Sequence, residues 1–150
     1  MTRPQPPFKV LIVEDEALLA MDIEAMVEDC GHSVVADAMS LADVEELTTL
    51  PAPDIAFVDI QLADGSNGLD VCALIRDRWP ETAVVFVTAN PGVIPDDFAG
   101  AHGVIPKPFS RHGLASAIRF IGEGISDPPP KIGQPPSFKP APNIERMWAA

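Results

Sequence analysis

Short apolar runs alternate strictly with amphipathic helical patterns along this chain, and that alternation constrains the fold more than any other feature. "FKVLIV" (Phe8 to Val13) reads as a buried strand rich in branched residues and closed by acids. Leu19, Ile23, Met26, Val27 and Cys30 then share one helical face, and Gly31 stands where a C-terminal cap belongs. "SVVADA" (Ser33 to Ala38) is a weaker second strand. Ser40 caps a helix predicted to reach about Leu50, where Pro51 and Pro53 stop it. "DIAFVD" (Asp54 to Asp59) is a third strand, followed by a helix from about Gly68 to Trp79 that Pro80 ends. "TAVVFVTA" (Thr82 to Ala89) is apolar on both faces, as a central parallel strand should be. "PGVIPDDFAGA" reads as a Pro-broken helical or loop segment, and "GVIP" (Gly103 to Pro106) as a short fifth strand. A last helix, about Ser110 to Ile125, lines up Leu114, Ile118, Ile121 and Ile125.

Strict strand–helix alternation implies an α/β fold, a five-stranded parallel sheet wrapped on both faces. The simplest doubly wound order is 2-1-3-4-5, the flavodoxin-like arrangement, with a ligand crevice at the carboxyl ends of strands one and three. Residues 8–125 are expected to form this domain. Residues 1–7 ("MTRPQPP") are expected to be disordered. Residues 126–150 form a Pro-rich tail expected to have no core of its own, although "NIERMWAA" has the pattern of one amphipathic turn that could dock on a partner or on the domain itself.

Composition removes several functions. At a net charge of −12 the chain has no Lys/Arg cluster of the kind that neutralises phosphates, which argues against a nucleic-acid partner. No apolar run approaches the ~18 residues of a membrane span, and the start lacks the apolar core of a signal peptide. With two cysteines in helical, apolar settings and no metal-like spacing, a cytoplasmic protein is expected. His32, His102 and His112 are scattered and pair with no nucleophile, so they read as surface or structural residues.

The ends of the strands carry the chemistry. Strand one ends in Glu14-Asp15-Glu16, strand three in Asp59, strand four in Thr88-Ala89, and strand five leads into Lys107-Pro108. Taken singly each has an ordinary reading: acids at the positive end of a helix, an Asp loop cap, a strand threonine, a surface lysine. The topology brings all of them to one sheet edge. Gathered carboxylates repel unless a counterion joins them, and Mg²⁺ (or Mn²⁺) suits an all-oxygen set. A carboxylate, a hard metal, a lysine and a hydroxyl are the parts needed to receive a phosphoryl group.

"VLIVEDE", "FVDIQL", "VVFVTA" and "GVIPKPF" resemble the receiver domain of bacterial two-component response regulators, over about Phe8 to Ile125. The resemblance implies that Asp59 is phosphorylated by a histidine kinase or histidine phosphotransfer protein. It implies metal ligation by Glu14, Asp15, Asp59 and the backbone carbonyl of Gln61. It assigns switching and phosphate binding to Thr88, Ala89 and Lys107, a cis peptide bond to Pro108, and tuning of dephosphorylation to Gln61 and Asn90. Val104 stands where many receivers carry a switch aromatic, so an aromatic flip is not carried over. "DIQLADGSNG", with its longer turn and no Met-Pro, is similar to receivers of general-stress-response regulators, and "FVTA" with "PKPF" to a branch of stand-alone receivers.

The expectation is therefore a stand-alone phosphorylation switch without DNA-binding output. It catalyses only its own phosphorylation and dephosphorylation, and it acts by changing contacts with an unnamed downstream protein. A homodimer is left open. A phosphate sink or shuttle in a phosphorelay would use the same residues without an output surface. An aspartyl-phosphate phosphatase would need a second acid two residues after Asp59, where Gln61 stands.

Overall fold

The structure, a computed structural model, describes residues 7–149. The expected disorder of residues 1–7 falls almost wholly outside the described residues. In chain order the elements are β1 (Lys9–Val13), α1 (Ala17–Asp29), β2 (Ser33–Ala38), α2 (Leu41–Glu45), β3 (Ile55–Val58), α3 (Gly68–Arg78), β4 (Ala83–Thr88), β5 (Gly103–Pro106), α4 (Arg111–Ser126), β6 (Lys139–Pro140) and α5 (Pro142–Ala149). The first five strands are parallel in the order β2-β1-β3-β4-β5, as the alternation predicts. Every residue of β3 and β4 is buried, because helices cover both faces of these central strands.

One face is packed by α1 and α4. Ile23, Met26 and Val27 meet Leu114, Ala117, Ile118 and Ile121 over Val10, Ile12, Phe57, Val85 and Ile105. The other face is packed by α2 and α3, with Val44, Val71, Cys72 and Ile75 over Leu11, Val13, Ala56, Val58 and Phe86. Successive strand residues serve opposite cores, which fixes the register: a one-residue slip would exchange the two faces.

Two elements are shorter than the sequence pattern suggests. Helix α2 ends at Glu45 rather than near Leu50 because the Arg78 guanidinium, reaching over from α3, takes the carbonyls of Val44 and Glu45 at 2.8 and 3.2 Å. With Leu47 N–H also reaching the Val44 carbonyl at 3.0 Å, these helix-end acceptors are satisfied and no further turn is needed. Between β4 and β5 there is no α-helix, only 3₁₀ turns at Pro91–Val93 and Phe98–Gly100. Phe98 and Ala99 have φ of 55° and 51°, a left-handed path that L side chains rarely take. The Asp97 side chain accepts from Ala99 N–H at 2.9 Å and Arg76 donates to the Ala99 carbonyl at 3.2 Å, holding that path.

Of the alternatives open for the Pro-rich tail, residues 137–149 take docking on the domain itself. Strand β6 adds antiparallel to the outer edge of β5, pairing Gly103 with Pro140 and Val104 with Lys139. Phe138, Ala141 and Ile144 are buried, and Phe120 of α4 lies against the rings of Phe138 and Trp148 at 5.8 and 5.5 Å. The sequence understates this because the apolar residues are sparse and separated by prolines. Their sockets are made by glycines: a Cβ on Gly103 would strike the Phe138 ring, and one on Gly124 the Trp148 indole.

Candidate functional site

The carboxyl ends of β1 and β3 lie side by side, tied by a hydrogen bond from Asp59 N–H to the Val13 carbonyl at 2.9 Å. Glu14 N–H in turn donates to the Ala38 carbonyl of β2 at 2.9 Å. The acids following β1 and β3 are thereby fixed by the sheet's own ladder. One carboxylate oxygen from each of Glu14, Asp15 and Asp59 lies within 4.8 Å of the others. Glu14 and Asp59 are buried and Asp15 is half-buried.

Lys107 enters from the segment after β5. Its Nζ donates to Glu14 Oε1 at 2.8 Å and to Asp59 Oδ2 at 3.0 Å. Burial pushes the Glu14 carboxyl up to about 7, with the Asp59 charge adding to the rise; the bonds from Lys107 and from Glu16 N–H only partly offset it. Burial also works against the charge on Lys107, yet its hydrogen bonds to Glu14 and Asp59, with their charges, hold its pKa above the ordinary lysine value. The Lys107–Pro108 peptide bond is cis.

The remaining residues named from the sequence line the neighbouring edge. Thr88 is buried at the end of β4; its Oγ1 accepts from Asn90 N–H at 3.1 Å, which leaves the hydroxyl proton to donate. Its carbonyl accepts from Lys107 N–H at 2.9 Å, so Thr88, Ala89 and Asn90 join the acids through the Lys107 backbone rather than by side-chain contact. Ala89 and Asn90 are exposed. Gln61 is exposed and bridged to Asn67; the bonds closing that bridge, Leu62 N–H to Ser66 O and Gly68 N–H to Ile60 O, do not engage the Gln61 carbonyl.

Sequence reasoning passed over Gly68. Its N–H donates to the Ile60 carbonyl at 2.7 Å, and a Cβ there would collide with the Asp59 carbonyl and lie 2.7 Å from Ile60 Cα. Only glycine lets α3 start so close beneath Asp59. The Asn67-Gly68 pair at a helix start, with Asn67 Oδ1 accepting from Leu69 N–H at 2.8 Å, was the available signal. Among the histidines, His32 is structural: its Nδ1 accepts from Phe8 N–H at 3.0 Å.

The donor set fits a divalent cation. It consists of hard carboxylate oxygens only, and one ammonium faces three acids, so the cluster retains negative charge that a second cation would neutralise. A buried carboxylate beside an acid cluster that fits a cation, with a lysine bonded to it, holds the parts that receiving a phosphoryl group requires.

The response regulator receiver domain model matches residues 10–119, and the chain belongs to that family. It is 42% identical over 112 residues to the phyllosphere-induced regulator PhyR of Methylorubrum extorquens, covering 73% of this chain and 42% of that protein. It is 32% identical over 116 residues to the transcriptional regulatory protein PdtaR of Mycobacterium tuberculosis, covering 76% of this chain and 56% of the relative. The chain thus spans about half the length of the curated relatives it matches. Among solved structures, the PhyR receiver domain of Erythrobacter litoralis superposes with a TM-score of 0.69 at 28% identity, covering 84% of this chain and 97% of that one. PhyR of Brucella abortus superposes with 0.60 at 36% identity, covering 74% and 46%. Residues 10–119 are thus a receiver domain of the two-component response regulator family, a kind of domain that acts as a phosphorylatable switch. Among the described residues no helix is long and apolar enough to cross a membrane.

Proposed function

We propose that Asp59 accepts a phosphoryl group from a histidine kinase or histidine phosphotransfer protein, and that the charge added there alters the protein's contacts with a downstream protein. The observation that carries this reading is Lys107 donating to both Glu14 and Asp59 inside a three-carboxylate cluster. Glu14, Asp15, Asp59 and the Gln61 carbonyl would hold Mg²⁺. The bound cation supplies charge neutralisation for the carboxylates and the incoming phosphoryl oxygens.

In the transfer itself, an Asp59 carboxylate oxygen forms a bond to phosphorus as the phosphorus–nitrogen bond of the donor phosphohistidine breaks, and the imidazole leaves with the electron pair. Lys107 moves from the carboxylates toward the phosphoryl oxygens. The Thr88 hydroxyl donates its proton to one of those oxygens, and the small Ala89 side chain leaves space for it. Gln61 and Asn90, both exposed, tune the approach of hydrolytic water in this reading.

The donor needs a surface beside this site. Leu18 and Met21, 80% and 63% exposed in the first turns of α1, offer an apolar one to the kinase. The likeness to PhyR supports a protein as the downstream partner; PhyR of Bartonella quintana is described as an anti-anti-sigma factor. The acidic balance of the chain also favours protein over nucleic acid. The test is radiolabel transfer from a phosphorylated histidine kinase with Mg²⁺. Label should appear on the chain, disappear with chelator, and be absent in Asp59→Asn. Label retained by that variant overturns the assignment.

A further inference from the structure

The C-terminal segment grips the Lys107 loop from both sides. At one end, Ala141 N–H donates to the His102 carbonyl at 2.8 Å and β6 pairs with Gly103 and Val104, on the strand that leads directly into Lys107. At the other, Ser137 Oγ donates to the Gly113 carbonyl at 2.6 Å, in the first turn of α4, whose N-cap is Ser110. Trp148 then seats on Gly124 and Phe120 toward the far end of the same helix. Residues 107–110, which join the phosphate-pairing lysine to α4, are therefore bracketed by one continuous strap.

The strap is held by its buried side chains, Phe138, Ala141 and Ile144, and only lightly by its backbone. Its strand has two residues and one of them, Pro140, has no N–H. Its helix has eight residues, well below the length at which a helix persists alone in water. The Trp148 indole nitrogen Nε1 is buried without a hydrogen-bond partner, a defect that favours the detached state, where water supplies one. Before it, the chain meets the domain mainly through the Glu123 carboxylate, which accepts from Lys131 N–H at 2.8 Å and Ile132 N–H at 3.3 Å.

We propose that residues 137–149 form a detachable strap whose docking is coupled to the state of Asp59: closed while Lys107 is drawn to Glu14 and Asp59, released when the site is loaded. Release uncovers the β5 edge and the Phe120 face of α4 for a partner. This coupling rests on the proposed phosphoryl-accepting role of Asp59. A group added to Asp59 draws Lys107 away from Glu14 and shifts residues 107–113, which run from just beyond the latch at His102–Val104 to the latch at Gly113. By reciprocity, weakening the strap must raise the affinity of the site for the loading group by the same factor.

Hydrogen exchange of the full chain tests this in two arms. Without any ligand, the amides of residues 139–149 should open together, at least about 100-fold more often than those of Val84–Phe86 in β4. Exchange of both sets only through one global opening overturns the strap. With Mg²⁺ and beryllofluoride as the loading probe, and loading confirmed by the bound ¹⁹F resonance, exchange at 139–149 should rise at least about fivefold, and Ser137→Ala should tighten beryllofluoride binding. A loaded site with unchanged or slowed exchange there overturns the coupling. Failure of the bound resonance to appear sinks the phosphoryl-accepting reading instead, and with it the coupling, while the first arm still decides whether the strap exists.

Discussion

Replacing Glu14 by Gln should make the metal-free protein more stable at pH 8 while destroying its cation site. Folding lifts the Glu14 carboxyl from its ordinary 4.5 to about 7, chiefly through burial. Each factor of ten in a protonation constant is worth about 1.4 kcal/mol, so keeping this group ionised costs the fold about 3 kcal/mol. The sign follows from proton counts. Between pH 4.5 and 7 the folded state holds a proton that the unfolded chain has released. Stability from this group is thus fully present below 4.5, declines as pH rises, and is gone above about 7. A neutral amide of the same shape still accepts from Lys107 and never ionises. Urea unfolding in chelator should therefore give equal stabilities for the two proteins near pH 4.5, and an advantage of about 3 kcal/mol for Glu14→Gln at pH 8. His32, whose pKa burial lowers, sits against Phe8 at the opposite end of β1 and cancels in the difference. Added Mg²⁺ at about 100 times its dissociation constant should restore about 3 kcal/mol to the wild type and little to the variant. A variant that is less stable than wild type at pH 8 without metal would refute the reasoning, since it would mean that the buried ion pair outweighs the desolvation of Glu14.

Other expectations concern single contacts. Asp15→Asn, which removes one of the three acids, should weaken Mg²⁺ binding by at least about tenfold in calorimetry without altering unfolding in chelator. Gly68→Ala should cost about 1–3 kcal/mol in urea unfolding and slow phosphoryl uptake, because the new methyl must displace the Asp59–Ile60 backbone; unchanged stability would show that the close approach is not needed. Leu18→Glu should slow transfer from a histidine kinase by at least about tenfold, yet leave uptake from a small phosphodonor such as acetyl phosphate untouched, which separates docking from chemistry.

What the sequence made legible and what it hid have physical causes. β3 and β4 are apolar on both faces because both faces are covered, and a run such as "VVFV" has few other uses. The acids, Thr88 and Lys107 were readable because parallel connectivity sends every strand's carboxyl end to one edge, which turns order along the chain into proximity. Gly68 was not readable as a site residue, since its role is to lack a side chain against a backbone that only the folded turn brings near. The early end of α2 depends on Arg78, more than thirty positions away in the chain, which no local pattern contains. The docking of the C-terminal segment was left open between partner and domain for a similar reason. Phe138 and Trp148 look too sparse to anchor anything until Gly103 and Gly124, remote in sequence, are seen to form their sockets.

The final strand of the sheet is spelled Lys139-Pro140, a cation and an imino acid. A bare β5 would present open backbone groups to any passing extended chain, including that of a neighbouring molecule, and so invite aggregation. The Lys-Pro pair closes that side with a strand that is itself a poor template, since the proline cannot donate and the charge repels stacking. Solutions of a chain shortened to residue 126 should accordingly scatter light as concentration rises, at protein levels where the intact chain stays clear.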